Sequence, residues 1–129
     1  MKKKVLILIS VVLITGFVIY KFAYKKHRNI GDEKADYALT VIILQDEFNE
    51  NDSLFNKKYL DRTIEIYGKI TNIDLSNNAV TIDQKLIATF KDKDLNKLTL
   101  LEPIKVKGRF IGYDDLLEEF KIDESVILK

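Results

Sequence analysis

"RTIEIYGKITNIDL" (residues 62–75) sets Ile64, Ile66 and Ile70 on one side and Glu65, Tyr67 and Lys69 on the other. A period of two belongs to a strand with one buried face. Gly68 falls on the apolar side, where an interior glycine marks a bulge, a sharp bend or a close backbone approach. The pattern returns in "IKVKGRF" (104–110), where Ile104, Val106, Gly108 and Phe110 share a face. In both stretches glycine takes the third apolar place, followed by a basic and then an apolar residue. Two matched kinks, in the first and fourth of five strands, suit a small barrel closed by pairing those strands, since closure requires the sheet to curl. Gly68 and Gly108 are therefore read as structural. Close approach of a ligand is the other role open to Gly68.

The other three strands are read from "AVTID" (79–83, with Val80 and Ile82 inward), "KLIATF" (85–90) and "FKIDESVILK" (120–129). "SNN" (76–78) makes a turn and "IGYDDLLEE" (111–119) a turn-bearing connection. "KDKDLNKLTLLEP" (91–103) reads as a short helix or irregular loop ending at Pro103. Five strands with a helical connection between the third and fourth is the OB-fold arrangement. The expected fold class is mainly β with N-terminal helices: a single transmembrane helix, then an amphipathic helix packed on a five-stranded OB-fold barrel.

Before the barrel, Tyr37, Val41, Leu44, Phe48, Phe55 and Tyr59 recur at helical spacing, giving one apolar face. Packing on the barrel is the plainer role for that face; a partner-binding helix is the alternative. Asn51 interrupts the stripe and is placed to cap a second stretch, so a break is expected near 49–52. Residues 29–36 read as a polar linker in which Asp32 is a candidate cap for the helical stretch after it. The expected division is 1–28 membrane anchor with basic flanks, 29–36 linker, and 37–129 helix plus OB-fold domain.

"VLILISVVLITGFVIY" (5–20) carries no charge, and twelve of its sixteen residues are Val, Leu, Ile or Phe. Each favours insertion by roughly 0.3–0.6 kcal/mol near the bilayer centre. Sixteen residues rise only ~24 Å. Continuing to Tyr24, with Lys21 snorkelling, brings the span to about 30 Å, the hydrocarbon thickness. A cleaved signal peptide is the rival, but such peptides end in small residues, and this run ends in "FVIYKFAYKKH". Residues 5–24 are thus expected to partner the membrane as an uncleaved anchor.

Charge divides along the same line. Residues 1–29 hold seven of the 21 basic side chains and none of the 20 acidic ones, leaving fourteen against twenty, about −6, from residue 30 on. Halves of opposite sign point to two environments. Lys2, Lys3, Lys4 and the amino terminus balance Lys21, Lys25, Lys26 and Arg28, so the positive-inside rule returns a tie. His27, the one histidine, sits in that basic collar with no ligand cluster around it. Without cysteine, disulfides, thiolate metal sites and lipidated cysteines are excluded.

"LQDEFNENDSLFNKKYLDRTIEIYGKITNI" (44–73) resembles the opening of the bacterial tRNA-anticodon-like OB-fold proteins, a family of the OB-fold lipoprotein type. Leu44, Phe48, Asn51, Phe55 and Tyr59, then Ile64, Ile66 and Gly68, carry the likeness, and "IKVKGRF" resembles that family's fourth strand. The resemblance covers about residues 38–129 and rests on scaffold motifs. It implies a small exported, membrane-attached OB domain without an established activity. The chain departs in having no lipobox cysteine, so anchoring would fall to the helix, and no cysteine near the last strand at "DESVILK". The resemblance, with "MKKK" before the apolar run, places the domain outside the cytoplasmic membrane as a single-pass protein.

Three functional classes come into question. A binding or interaction module, contacting an unknown protein, glycan or small ligand, would use outward residues of the barrel; the candidates are Tyr67, Lys69, Thr81, Lys107 and Arg109. Single-strand nucleic-acid binding needs a basic groove with stacking aromatics. Lys69, Lys105, Lys107 and Arg109 offer a stripe, with Tyr67 its one nearby aromatic, but a domain near −6 repels phosphates, so nucleic acid is an unlikely partner by charge. Catalysis lacks a constellation: Ser10, Ser53, Ser76 and Ser125 have no histidine but His27, and no glycine-rich phosphate loop occurs. "YDDLLEE" lacks the alternating ligands and glycine of a calcium loop and reads as a solvated acidic turn. No enzyme activity, cofactor or metal is expected.

Overall fold

The computed structural model describes residues 1–24, 29–91 and 94–128. His27 and its neighbours Lys25, Lys26 and Arg28 lie outside the described residues. In chain order the elements are α1 (Lys2–Ala23), β1 (Tyr37–Thr40), α2 (Val41–Glu50), α3 (Asp52–Tyr59), β2 (Thr63–Asp74), β3 (Ala79–Ile82), β4 (Leu86–Thr89), β5 (Pro103–Asp114) and β6 (Glu119–Ile127).

β2 is long because it serves two neighbours. Thr63–Lys69 pairs antiparallel with β5, and Ile70–Asp74 pairs antiparallel with β3. β3 pairs with β4, β4 runs parallel to β6, and β6 pairs with β5, so five strands close in the order β2-β3-β4-β6-β5-β2. This is the expected OB barrel, closed through the two glycine-bearing strands: Ile64 faces Gly108 and Gly68 faces Ile104. Ile64, Ile66, Ile70, Val80, Ile82, Leu86, Ala88, Val106, Phe110, Phe120 and Ile122 fill its interior, all fully buried.

The curling devices sit elsewhere than the kink expected at Gly68. The β2–β3 register slips between Ile70 and Asn72, so the extra residue is Thr71. In β5 the extra residue is Ile111, beside Gly112, and in β6 a bulge falls between Asp123 and Val126, where Glu124 has φ 47°. An extra residue bends a strand and raises its twist. Gly108 lies opposite the β6 bulge, whereas Gly68 accommodates a close approach. A Cβ on Gly68 would run into Ile82 Cγ2 and come 2.5 Å from Asp83 Oδ2. Asp83 (φ 48°) and Gln84 (φ 60°) are the two left-handed residues of the three-residue turn, 83–85, that joins β3 to β4. That turn bends back over β2, where Asp83 Oδ1 accepts from Lys69 N at 3.0 Å and Asp83 N donates to Lys69 O at 2.9 Å.

The expected helix over Tyr37–Tyr59 is shortened at its start. "YALT" instead pairs parallel with β2, Tyr37 facing Ile64. Thr40 is extended (φ −99°, ψ 163°), and its hydroxyl caps α2 by accepting from Ile43 N at 3.3 Å. Asp32 does not cap the helix; its carboxylate accepts from the Asn29 amide at 2.7 Å. The break falls at Asn51 as expected, with Oδ1 accepting from Leu54 N at 3.1 Å to start α3. The two helices plug the barrel with aromatic rings: Phe55 meets Phe110 at 5.5 Å and Phe120 at 5.7 Å, and Phe48 meets Tyr113 at 4.3 Å. The described part of the connection between β4 and β5 holds turns and no helix.

Residues 29–36 lie against the barrel. Ile30 is 1% exposed, Glu33 accepts from the Thr63 hydroxyl at 2.6 Å, and Asp36 N donates to Thr63 O at 2.8 Å. By contrast, none of the 22 residues of α1 is buried. Its most apolar 18-residue stretch has a mean hydropathy of 2.5, and by length and composition the helix could cross a membrane.

Candidate binding surface

Alternation along β5 turns Lys105, Lys107 and Arg109 outward, but their surroundings differ. Lys107 Nζ donates to Gly31 O and to Glu33 O, both at 2.8 Å, and so holds the segment before β1 in place. Arg109 forks onto Asp123, Nε to Oδ1 at 2.9 Å and Nη2 to Oδ2 at 2.6 Å, with Asp61 3.9 Å away. The Asp123 hydrogen bonds hold the guanidinium pKa above its ordinary value. Both cations are occupied within the fold.

Lys105 stands across from Tyr67 on β2, its ammonium 4.8 Å from the ring centroid. Hydrogen bonding to Tyr67 raises the lysine pKa. Among the described residues from 29 onward, Tyr67 is the most exposed aromatic, at 41%. Lys69 is exposed two places along the same strand, facing Pro103. Tyr67, Lys105 and Lys69 thus form a small aromatic–basic surface, with the Glu65 carboxylate close enough to favour the charged form of Lys105. Lys105 was visible in sequence as part of a basic stripe. Its pairing with Tyr67 depends on the β2–β5 register, which alternation alone leaves open.

Thr81 belongs to a different surface. It faces Asn72 on β2 and Ile87 on β4, and Ile87 faces Lys121 on β6. Asn72 is five residues beyond Tyr67, about 17 Å along the strand. The five candidate residues therefore do not converge. The turns after β2 and after β5 are each tied by an aspartate. Asp74 accepts from Asn77 N at 3.2 Å and from its amide at 2.7 Å. Asp114 Oδ1 accepts from Leu116 N and Leu117 N, and Lys121 bonds Oδ2 at 3.1 Å. Those bonds, the Leu117 amide foremost, pull the Asp114 carboxyl below the usual carboxylate range. A groove of about 430 Å³ beside this turn is lined by Ile111, Gly112, Tyr113, Asp114, Leu116 and Lys121. Tyr113 packs inward on Phe48 and Phe120, so the groove has no free ring for stacking. Among the described residues no group of three or more metal-ligating side chains converges.

A family model described as tRNA_anti-like matches residues 1–113, taking in α1 as well as the region where the sequence resemblance began. Among solved structures, the chain is similar to a candidate nucleic acid-binding lipoprotein from Klebsiella pneumoniae subsp. pneumoniae. The likeness has a TM-score of 0.54 and 15% identity, covering 71% of this chain and 91% of that one. At that identity it concerns the fold. No curated protein sequence matches the chain.

Proposed function

The chain belongs to the tRNA_anti-like family of OB-fold proteins, and from that premise we propose that it is a membrane-anchored, exported interaction module that binds a partner and does no chemistry on it. The observation that carries this reading is α1: twenty-two residues, none of them buried. Exposing so many Val, Leu, Ile and Phe side chains to water is costly, at roughly 25 cal/mol per Å² of apolar surface, and a bilayer removes that cost. The chain has no cysteine to carry a lipid, so the helix takes the place a lipid holds in a lipoprotein. The domain sits outside the cytoplasmic membrane, with Lys2, Lys3 and Lys4 retained inside. The partner is a protein, glycan or small ligand, met on the outward residues of the barrel. Of the five candidates, Tyr67, Lys69 and Thr81 are available for such contact, while Lys107 and Arg109 support the surface through their internal bonds.

Nucleic-acid binding is the second reading, favoured by what the Klebsiella chain is called and by the Tyr67–Lys105 pair. Charge weighs against it: about −6 beyond residue 29, with Arg109 paired to Asp123 and Lys107 turned onto backbone carbonyls. Fluorescence anisotropy with single-stranded DNA and RNA at physiological salt separates the two. The interaction-module reading predicts no saturable binding into the micromolar range. Micromolar binding with a steep salt dependence, lost in Tyr67→Ala and Lys105→Glu, would transfer the function to nucleic acid.

A further inference from the structure

We infer that one partner of the chain is a second copy of itself, joined head to tail: the leucine tip of the turn after β5 seats in an apolar groove at the far end of the neighbouring barrel. The inference rests on the interaction-module reading and names a partner for it. The turns after β2 and after β5 are built alike. Asp74 faces Ala79 and Asp114 faces Glu119, so each loop has four residues. In each, the leading aspartate accepts from loop amides, and the fourth residue is left-handed, Asn78 and Glu118 both at φ 54°. The first loop fills its two middle places with Ser76 and Asn77, polar residues of the kind turns favour. The second puts Leu116 and Leu117 there, 95% and 60% exposed. Turn geometry does not ask for leucine at these places, and neither residue belongs to the core. Asp114, bonded to both leucine amides and to Lys121, fixes the shape of the tip.

The matching concavity is an open groove of about 310 Å³ between the end of β2 and the β4–β5 connection. Ile73, Leu75, Leu95, Leu98 and Leu100 line it, with Asn72 and Asn96 as its polar side chains. Leu95 is buried, whereas Leu75 and Leu100 stand exposed. Next to Leu100, Leu101 sits at φ 67°, a conformation that bulky side chains rarely adopt, with its N–H on Ile70 O at 2.7 Å. Exposed leucines gathered around a groove, beside a strained residue, mark a contact site. The chain itself displays a tip of the chemistry such a groove takes, which commits the occupant to a second copy. β4 keeps the two apart within one barrel. Leu86, its first residue, pairs with Phe120 just after the tip, while Phe90, just past its end, donates at 2.9 Å to Asn78 O in the turn that carries Leu75. The tip and the groove thus lie at opposite ends, about 13 Å of strand between them. A chain cannot fill its own groove, and a contact between two different patches joins copies in a row or ring. Copies anchored through α1 face the bilayer alike, which suits a lateral row and raises their effective concentration. Charge takes little part. Asp115 and Glu118 flank the tip, with Lys85 3.9 Å from Glu118. Lys97 is exposed beside the groove, and the neighbouring Asp74, Asp94 and Glu102 are bonded to Asn77, Asn96 and Thr99 of their own loops.

The absence of cysteine permits a direct test. Full-length Leu116→Cys and Leu100→Cys chains with different tags are reconstituted together into phosphatidylcholine vesicles and treated with a short bis-maleimide. The mixture should yield a heterodimer carrying both tags, and a chain with both substitutions should yield a ladder of higher oligomers. Either single variant alone should stay monomeric, and raising the salt should leave the heterodimer yield unchanged. Leu117→Asn, which copies the matched place of the first turn, should lower that yield about fivefold or more without moving the urea midpoint. A Leu116→Cys homodimer as abundant as the heterodimer, or no crosslink in vesicle-bound protein, would overturn the head-to-tail contact and leave the interaction-module reading standing. So would a benzophenone at residue 100 that captures, in cells, a different protein in place of this chain. Chains that crosslink but fail to co-float with vesicles would overturn the anchor alone.

Discussion

A side chain at Gly68 would have to displace Ile82, a fully buried core residue, or Asp83, whose carboxylate is held by Lys69 N. Overpacking of this kind costs about 1–3 kcal/mol. Gly68→Ala should lower the urea midpoint of the detergent-solubilised chain accordingly; an unchanged midpoint would rule out the close approach. Gly108 faces a different obstacle, because a Cβ there would lie 2.8 Å from Ser125 Oγ. That hydroxyl is buried without a hydrogen-bond partner among the described residues. Gly108→Ala should therefore destabilise, and adding Ser125→Ala should recover part of the loss, a coupling that a double-mutant cycle would measure. Both glycines were conspicuous in sequence because each interrupts an apolar row. The neighbour each one makes room for was not. Ile82 and Ser125 reach them through register and bulges, which are set by closure of the barrel.

At the scale of elements, the helix pair and the turns carry distinct loads. Phe55 joins α3 to β5 and β6 through Phe110 and Phe120. Phe55→Ala should cost about 3–5 kcal/mol, a large share of the ~5–15 kcal/mol of a typical domain. Loss of near-ultraviolet circular dichroism at reduced urea would report it. Asp114 makes the turn after β5 sensitive to acid. Its folded pKa lies below the ordinary value of about 3.9, so its contribution is present above that value and fades as pH falls through the depressed one. The Leu117 amide resonance should titrate with this carboxyl below pH ~3.9 and cease to do so in Asp114→Asn. The break at Asn51 was legible because a capping side chain interrupts an apolar stripe. β1 was not, because Tyr37 stands four residues before Val41 and imitates another helical turn. Only the free edge of β2 makes "YALT" a strand. Lys107 and Arg109 read as free outward cations for a similar reason: the carbonyl of Glu33 is 74 residues from Lys107 in sequence, and no local pattern brings them together.

At the scale of the whole molecule, one end is an exposed apolar helix and the other a closed barrel whose acidic excess suits water. The long apolar helix was legible because an uncharged run of this length needs no tertiary context. The partner surface was not, since outward residues on a barrel obey the same alternation whether or not they bind anything. The measurement that bears most directly on an exported, anchored module is protease digestion of intact spheroplasts. An exported module predicts that the barrel, residues 30–129, is degraded from outside while a cytoplasmic marker survives and a fragment containing α1 stays with the membrane. Full protection of the barrel until the cells are lysed would contradict export and put the domain in the cytoplasm.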